Sequence, residues 1–259
     1  MSEILSVEKQ DHLEVWTLNR PEALNAFNKA LLLELSAQIE RIHDDYSVRC
    51  VILAGAGGRA FSAGADLKER KAMPAHEVPA FVSLIGGTFQ KIAECPVPFI
   101  AAIDGFAFGG GLEVALACDI RAVGSAAKMG LTETRLAIVP GAGGTQRLPR
   151  LVGAGRAKEL ILTGRRIDAS EALRIGVAEL DGRESSALEA ALDCARSIAS
   201  CGPIAVRAAK DAINGALGVP LNEGLVHERR CYDRTLDTND RLEALAAFAE
   251  KRPPVFEGR

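Results

Sequence analysis

Apolar and polar positions alternate from His12 to Leu18 (His-Leu-Glu-Val-Trp-Thr-Leu), the period of a half-buried strand, and Asn19-Arg20-Pro21 ends the run. The period then lengthens. Leu31, Leu35, Ile39 and Ile42 recur at helical spacing between Asn28 and Asp45, with Asn28 placed to cap the first turn. Residues 48–54 (Val-Arg-Cys-Val-Ile-Leu-Ala) form a largely apolar block that predicts a buried strand. A helical segment follows at 66–73, and a weaker helical pattern over 77–93 is interrupted at Gly86-Gly87. Residues 97–103 and 120–123 read as further strands. Strands alternating with helices predict an α/β fold.

From Ala154 onward the pattern is almost continuously helical, with breaks near Gly164, Gly176, Gly182, Gly202-Pro203, Gly218-Val-Pro220 and Asp237. This change of texture predicts a soft boundary at 195–202, dividing a core over 1–198 from a C-terminal helical region over 199–259. The last run, 240–254, sets Leu242, Leu245, Ala246 and Ala249 on one face, a stripe that ordinarily packs. Lys251-Arg252 follows it and suits either a helix C-terminus or an anionic ligand.

The chemistry concentrates between Pro98 and Arg150, where two glutamates sit beside glycine runs. The first run, Phe99 to Asp119, reads as an apolar strand, a turn and a helix opened by Gly109-Gly110-Gly111, which puts Glu113 in the first helical turn. Unpaired backbone N–H groups and the helix dipole there favour an anion, so Glu113 is expected to stay ionised and to serve as a base. The same N–H groups, Gly110's especially, suit a developing oxyanion. Three glycines weaken a helix and suggest close backbone approach to a ligand. Glu133 stands in a largely apolar segment that runs into Pro140-Gly141-Ala-Gly143-Gly144. Near a second carboxylate its proton is held more tightly, which makes the pair a base and an acid.

Other chemistries find little support. Gly55-Ala-Gly57-Gly58-Arg-Ala60 formally matches a dinucleotide fingerprint, but the chain continues Phe61-Ser-Ala-Gly-Ala before any helical run, which predicts a wide loop instead. The six cysteines contain no C-x-x-C pair and the four histidines no H-x-x-x-H spacing, so no metal site is expected. No serine stands in a G-x-S-x-G. A net charge of −3 argues against a nucleic-acid surface, and no apolar stretch is long enough to span a bilayer. The N-terminus lacks a charged-then-apolar leader, so the expected location is cytoplasmic.

Gly109-Gly110-Gly111-Leu-Glu113, the Glu133 segment with Pro140-Gly141-Ala-Gly-Gly-Thr-Gln-Arg-Leu, and Phe61-Ser-Ala63-Gly64-Ala65-Asp66-Leu67-Lys68-Glu69 together resemble the enoyl-CoA hydratase/isomerase (crotonase) superfamily over essentially the whole chain. The resemblance implies a spiral of repeated strand-strand-helix units with a C-terminal helical region, acting on acyl-CoA thioesters with no further cofactor. It implies that the amides of Ala63 and Gly110 hold the thioester enolate, and that Glu113 and Glu133 move the protons of hydration while Gly141 helps hold the water. Coenzyme A contacts are implied at Ala65, Asp66, Leu67 and Lys68, at Leu24 and Ala26 in the segment lining the pantetheine path, and at Phe248 and Lys251 from a neighbouring subunit. A homotrimer or dimer of trimers is the implied assembly.

Isomerases of the family generally keep one of the two glutamates, so the presence of both favours hydration. The segments Met129 to Thr163 and Cys231 to the end look most like the 3-methylglutaconyl-CoA hydratase branch, which includes an AU-rich-RNA-binding homologue. That homologue is lysine-rich in its first long helix, whereas residues 28–49 here hold Lys29 as the single lysine, so the electrostatic basis for RNA binding is missing. A CoA-thioester hydratase, a same-fold isomerase or other enolate enzyme, and a non-catalytic RNA-binding or scaffolding protein are the competing readings, in that order.

Overall fold

A computed structural model describes residues 3–259. The chain opens with an antiparallel pair, β1 (Leu5–Gln10) and β2 (Leu13–Leu18), and then the helix α1 (Lys29–Ile42), which the Asn28 side chain caps by accepting from the Leu31 N–H. It continues through β3 (Cys50–Gly55), β4 (Ala60–Ser62), α2 (Leu67–Ala72), α3 (Val78–Glu94), β5 (Phe99–Ile103), β6 (Phe106–Phe108), α4 (Gly110–Ala117), β7 (Ile120–Gly124) and β8 (Lys128–Gly130). A 3₁₀ turn at Glu133–Leu136 leads to α5 (Gly144–Val152), α6 (Ala154–Thr163), β9 (Ile167–Asp168), α7 (Ala169–Ile175), β10 (Leu180–Gly182) and α8 (Ala187–Ala199). The helices α9 (Pro203–Ala216), α10 (Leu221–Asp233) and α11 (Asn239–Glu250) finish the chain.

Two sheets organise these elements: a six-stranded one in the order β1-β2-β3-β5-β7-β10 and a four-stranded one in the order β4-β6-β8-β9. Three times the chain lays a strand in the larger sheet, the next in the smaller, and then enters a helix. This is the strand-strand-helix spiral the resemblance implied. Both faces of the larger sheet are covered, which is why its strands are apolar almost without break. Trp16, Leu18, Val51 and Leu53 face the main core, while Val15, Ile52 and Ile100 face α8. The helix α8 presents Ala187, Ala191 and Ala195, four residues apart, and small side chains let it lie close on the strands.

Several expectations change. The predicted break at Gly86-Gly87 does not occur: α3 runs on to Glu94, because its buried Phe81, Ile85, Phe89 and Ile92 hold it against the core through the glycines. The region after Ala154 is not all helical, since β9 and β10 are three residues or fewer and owe their state to pairing with β8 and β7. The Gly55–Gly58 segment opens no helix, as expected, but it is a short turn from β3 into β4 and not a wide loop, and the Asn25 side chain fastens it by donating to the carbonyls of Ala56 and Ala60. The C-terminal stripe does not pack within the chain: Leu242 is 61% and Leu245 58% exposed, and Ala247 is the buried apolar residue of α11.

The soft boundary at 195–202 takes in the end of α8 and the short connection to α9. Beyond it the helices are tied back to the core by polar bonds. Lys210 Nζ donates to Asp119 Oδ2 at 2.7 Å, the Arg207 guanidinium to the carbonyls of His43 and Asp45, and Arg49 Nη2 to the Phe256 carbonyl. Among the described residues, no helix is long and apolar enough to cross a membrane.

Candidate active site

The smaller sheet delivers the site. Its strands β4, β6 and β8 run parallel, and the segments leaving their C-terminal ends converge on one cleft. Ala63, Gly64, Ala65 and Leu67 follow β4, Gly109, Gly110 and Glu113 follow β6, and Thr132 and Glu133 follow β8. Val82 and Ile85 of α3 and Leu136, Ile138, Val139, Gly141 and Ala142 complete a mostly apolar wall.

Glu113 is 3% exposed. Its Oε1 accepts the Ala142 N–H at 2.8 Å and the Gly144 N–H at 2.9 Å, so the carboxyl caps the N-terminus of α5 across the cleft. The donors that favour its anion are therefore those of the Gly141–Gly144 loop, not those of its own helix. Burial nonetheless pushes its pKa up, with the two amide bonds and the Arg147 charge pulling the other way, so the expectation of an ordinary ionised carboxylate is too simple. Arg147 also fixes the loop, donating to the Ala142 carbonyl at 3.0 Å and to Gln90 Oε1 at 2.6 Å.

Glu133 stands at the start of the 3₁₀ turn, and its Oε2 is buried with no hydrogen-bond partner. Burial raises its pKa to about 7, and the nearby Glu113 charge adds to the rise. The Gly109 backbone lies against this carboxyl; a Cβ at Gly109 would stand 3.1 Å from Oε1. The two carboxyls thus differ in their partners: Glu113 Oε1 is held by two amides, while Glu133 Oε2 has none.

The enolate-binding assignment needs a correction. The Ala63 N–H already donates to the Leu24 carbonyl at 2.9 Å, so it has no hydrogen to offer a ligand. Two residues on, the Ala65 amide nitrogen approaches the Gly110 Cα side at the helix start, and among the described residues neither the Ala65 nor the Gly110 N–H has an acceptor. Ala65 with Gly110 is the pair of free, adjacent donors. The sequence motif identifies the right loop but not which of its amides the neighbouring segment from Leu24 consumes. Gly141's N–H is also without an acceptor among the described residues, and Gly141 lines the cleft.

The glycine run serves packing as much as ligand approach. The Gly111 backbone lies against the Ser62 carbonyl with no room for a side chain, and Gly64 (φ +93°) lies against the Phe108 carbonyl and the Gly110 nitrogen. Segments from β4 and α4 therefore meet backbone to backbone.

The residues implied to bind coenzyme A are not all in the cleft. Ala65 and Leu67 line it, and Lys68 is exposed at the start of α2. Asp66 is engaged in the fold: Oδ1 accepts the Lys68 and Glu69 N–H groups as the α2 cap, and Oδ2 pairs with Arg20 at 2.9 Å. Leu24 contributes the carbonyl that consumes the Ala63 amide, and the buried Ala26 carbonyl accepts from Arg20 Nη1. Phe248, 87% exposed, and Lys251, which ends α11 in a left-handed conformation, lie outside the cleft lining of this subunit. Two residues of the site were not singled out by sequence: Arg147, four positions beyond Gly143 and behind Glu113, and Arg70, on the last turn of α2. Away from the cleft, Asp211, His227 and Cys231 bring a carboxylate, an imidazole and a thiol together between α9 and α10. Sequence spacing does not show that grouping, because its members sit on two helices.

The family described as enoyl-CoA hydratase/isomerase matches residues 8–259. The mitochondrial methylglutaconyl-CoA hydratase of Mus musculus is 49% identical over 97% of this chain and 81% of its own. A crystal structure of an enoyl-CoA hydratase from Bacillus anthracis superposes with a TM-score of 0.97 at 49% identity, covering 99% of this chain and all of that one. Pseudomonas aeruginosa DspI superposes at 0.94 with 39% identity over 99% of this chain and 97% of that one. The chain belongs to the enoyl-CoA hydratase/isomerase family.

Proposed function

We propose that the protein adds water across the 2,3 double bond of an enoyl-CoA thioester, or runs the reverse dehydration. The observation that carries this reading is the pair of unlike carboxyls, Glu113 and Glu133, facing one cleft beside the free amides of Ala65 and Gly110. The amides stabilise the oxygen of the thioester enolate, the high-energy species on the path. Glu113 takes a proton from water, held with help from the Gly141 amide, as the water oxygen bonds to C3. Glu133, protonated up to about pH 7, gives its proton to C2. The hydroxyl ends on C3 and the hydrogen on C2, and proton return from Glu113 to Glu133 through solvent resets the pair. Loss of the enoyl absorbance of crotonyl-CoA on adding the protein tests this. A shift of the double bond without addition of water would assign isomerisation instead.

Within that class the preferred substrate is 3-methylglutaconyl-CoA, a reading supported by the resemblance in the Glu133 and C-terminal segments and by the names of half-identical relatives. The kcat/KM for this thioester is expected to exceed that for crotonyl-CoA. A preference for crotonyl-CoA or longer straight chains would move the enzyme to general enoyl-CoA hydration.

The protein works as a homo-oligomer, a trimer or a dimer of trimers. Leu221 (79%), Phe248 (87%) and Ile213 (66%) join Leu242 and Leu245 as exposed large apolar residues on α9 to α11, more than a monomer leaves in water. In the assembly, Phe248 and Lys251 of one subunit approach the nucleotide of a neighbour's substrate. Light scattering is expected to give a multiple of 27.4 kDa at micromolar concentration, and a stable monomer would contradict it. Six unpaired cysteines suit a reducing compartment, which fits a cytoplasmic enzyme.

A further inference from the structure

Between α9 and α10, Asp211, His227 and Cys231 bring a carboxylate oxygen, an imidazole nitrogen and a sulfur within 4.8 Å of one another, the one such group of three among the described residues. His227 and Cys231 stand four apart, so α10 presents both on one face, and α9 sets Asp211 against them. A single atom is the focus. His227 Nε2 lies 3.0 Å from Asp211 Oδ1, 3.2 Å from the Asp211 carbonyl oxygen and 3.5 Å from Cys231 Sγ. One ring nitrogen has one hydrogen or one lone pair to share, not three. The arrangement is no proton relay either. A thiol nucleophile needs its base to face the thiol with one ring nitrogen and the orienting carboxylate with the other, whereas here Nε2 faces both. Burial and the Asp211 charge also push the Cys231 thiol up, so it stays protonated until a cation arrives.

The distances suit an ion. Tetrahedral bonds of about 2.0–2.3 Å put neighbouring ligand atoms roughly 3.3–3.6 Å apart, close to the 3.0 and 3.5 Å that separate Nε2 from Oδ1 and Sγ. Two further features prepare the place. Arg234 Nη2 holds Asp211 Oδ2 at 2.9 Å, so that Oδ1 is the oxygen turned to His227. Gly215, next to last in α9, leaves the space the imidazole fills, and a Cβ there would overlap the ring. We infer that Asp211, His227 and Cys231 bind a zinc ion, with water as fourth ligand, and that the ion staples α9 to α10. One thiolate, one imidazole and one carboxylate make a borderline-soft set that suits zinc. On binding, Cys231 releases its proton to solvent and the imidazole keeps its hydrogen on Nδ1. Asp211 and His227 are part-exposed, which gives the ion an entry path and the water its room. The absent C-x-x-C and H-x-x-x-H spacings do not detect such a site, because its ligands are of three kinds on two helices. It stands apart from the cleft and does not depend on the hydratase reading.

The test titrates the metal-free full chain with cobalt(II) chloride, whose spectrum reports its ligands. Wild type is expected to bind one equivalent per chain with a thiolate-to-cobalt charge-transfer band and the intense visible bands of tetrahedral cobalt, and one equivalent of zinc chloride should erase both. Cys231→Ser should lose the charge-transfer band. Cys201→Ser, which removes the exposed thiol, should keep it. Asp211→Asn, at a part-exposed position where the fold has little to lose, should weaken zinc by at least the roughly 10- to 100-fold that even outer-shell partners are worth. Zinc should also raise the melting temperature of wild type by several degrees and leave that of Cys231→Ser unmoved. A wild-type protein with no thiolate band, or with the weak spectrum of octahedral cobalt, overturns the inference. So does a band that survives in Cys231→Ser, or zinc held as tightly by Asp211→Asn as by wild type.

Discussion

Glu113→Gln and Glu133→Gln are each expected to lower kcat on the best enoyl-CoA by about 10²–10⁴-fold, because each removes one proton-transfer partner at nearly constant volume. The two should differ in every other respect. In Glu113→Gln the new amide oxygen can still accept the Ala142 and Gly144 N–H groups, so this variant should melt close to wild type. Glu113→Ala strips both donors of their acceptor and should cost about 1–3 kcal/mol for each amide left unsatisfied. Glu133→Gln removes a carboxyl whose proton is held to about pH 7. A folded-state pKa raised above the unfolded one means that the native state binds the proton more tightly, so this group lowers stability as pH rises from about 4.5 to 7. The variant should therefore match wild type in melting temperature near pH 4 and exceed it by a few degrees near pH 8. Hydration by wild type should decline above about pH 7, where Glu133 has lost the proton it donates. A Glu113 or Glu133 variant with wild-type turnover would remove that residue from the mechanism.

Gly64→Ala should lower kcat by roughly 10²–10³-fold, the scale for losing one oxyanion donor. The new methyl group would stand 2.7 Å from the Phe108 carbonyl and 3.0 Å from the Gly110 nitrogen, at a φ of +93° that an L side chain resists. Relief can come only by moving the loop, and the loop carries the Ala65 amide. The loss should fall mainly on kcat, since the enolate and not the ground-state thioester depends on both donors. A purely structural role would instead lower the active fraction and leave turnover per folded molecule intact, which active-site titration with a tight-binding ligand separates.

The strands that fill the larger sheet were legible because a sheet covered on both faces demands continuous apolar side chains, as in residues 48–54 and 97–103. β9 and β10 were not, because a two- or three-residue strand owes its state to the partner and not to its own side chains. The two glutamates could be found from the glycines beside them. Which amides remain free could not, since that depends on where Leu24, on a distant segment of the chain, places its carbonyl. Arg70 carried no signal at all: in sequence it is one basic residue among Lys68, Arg70 and Lys71, and only the fold turns it toward the cleft.

The contact of Gly111 on Ser62 also bears on how such a site can change over time. With two main chains touching, the spacing of the Ala65 and Gly110 donors is a matter of covalent geometry, insulated from whatever side chains drift in the surrounding core. Residues 70, 82, 85 and 136 are then free to be exchanged for new acyl groups, and residues 113 and 133 for new proton chemistry, without the enolate cradle having to be reinvented each time.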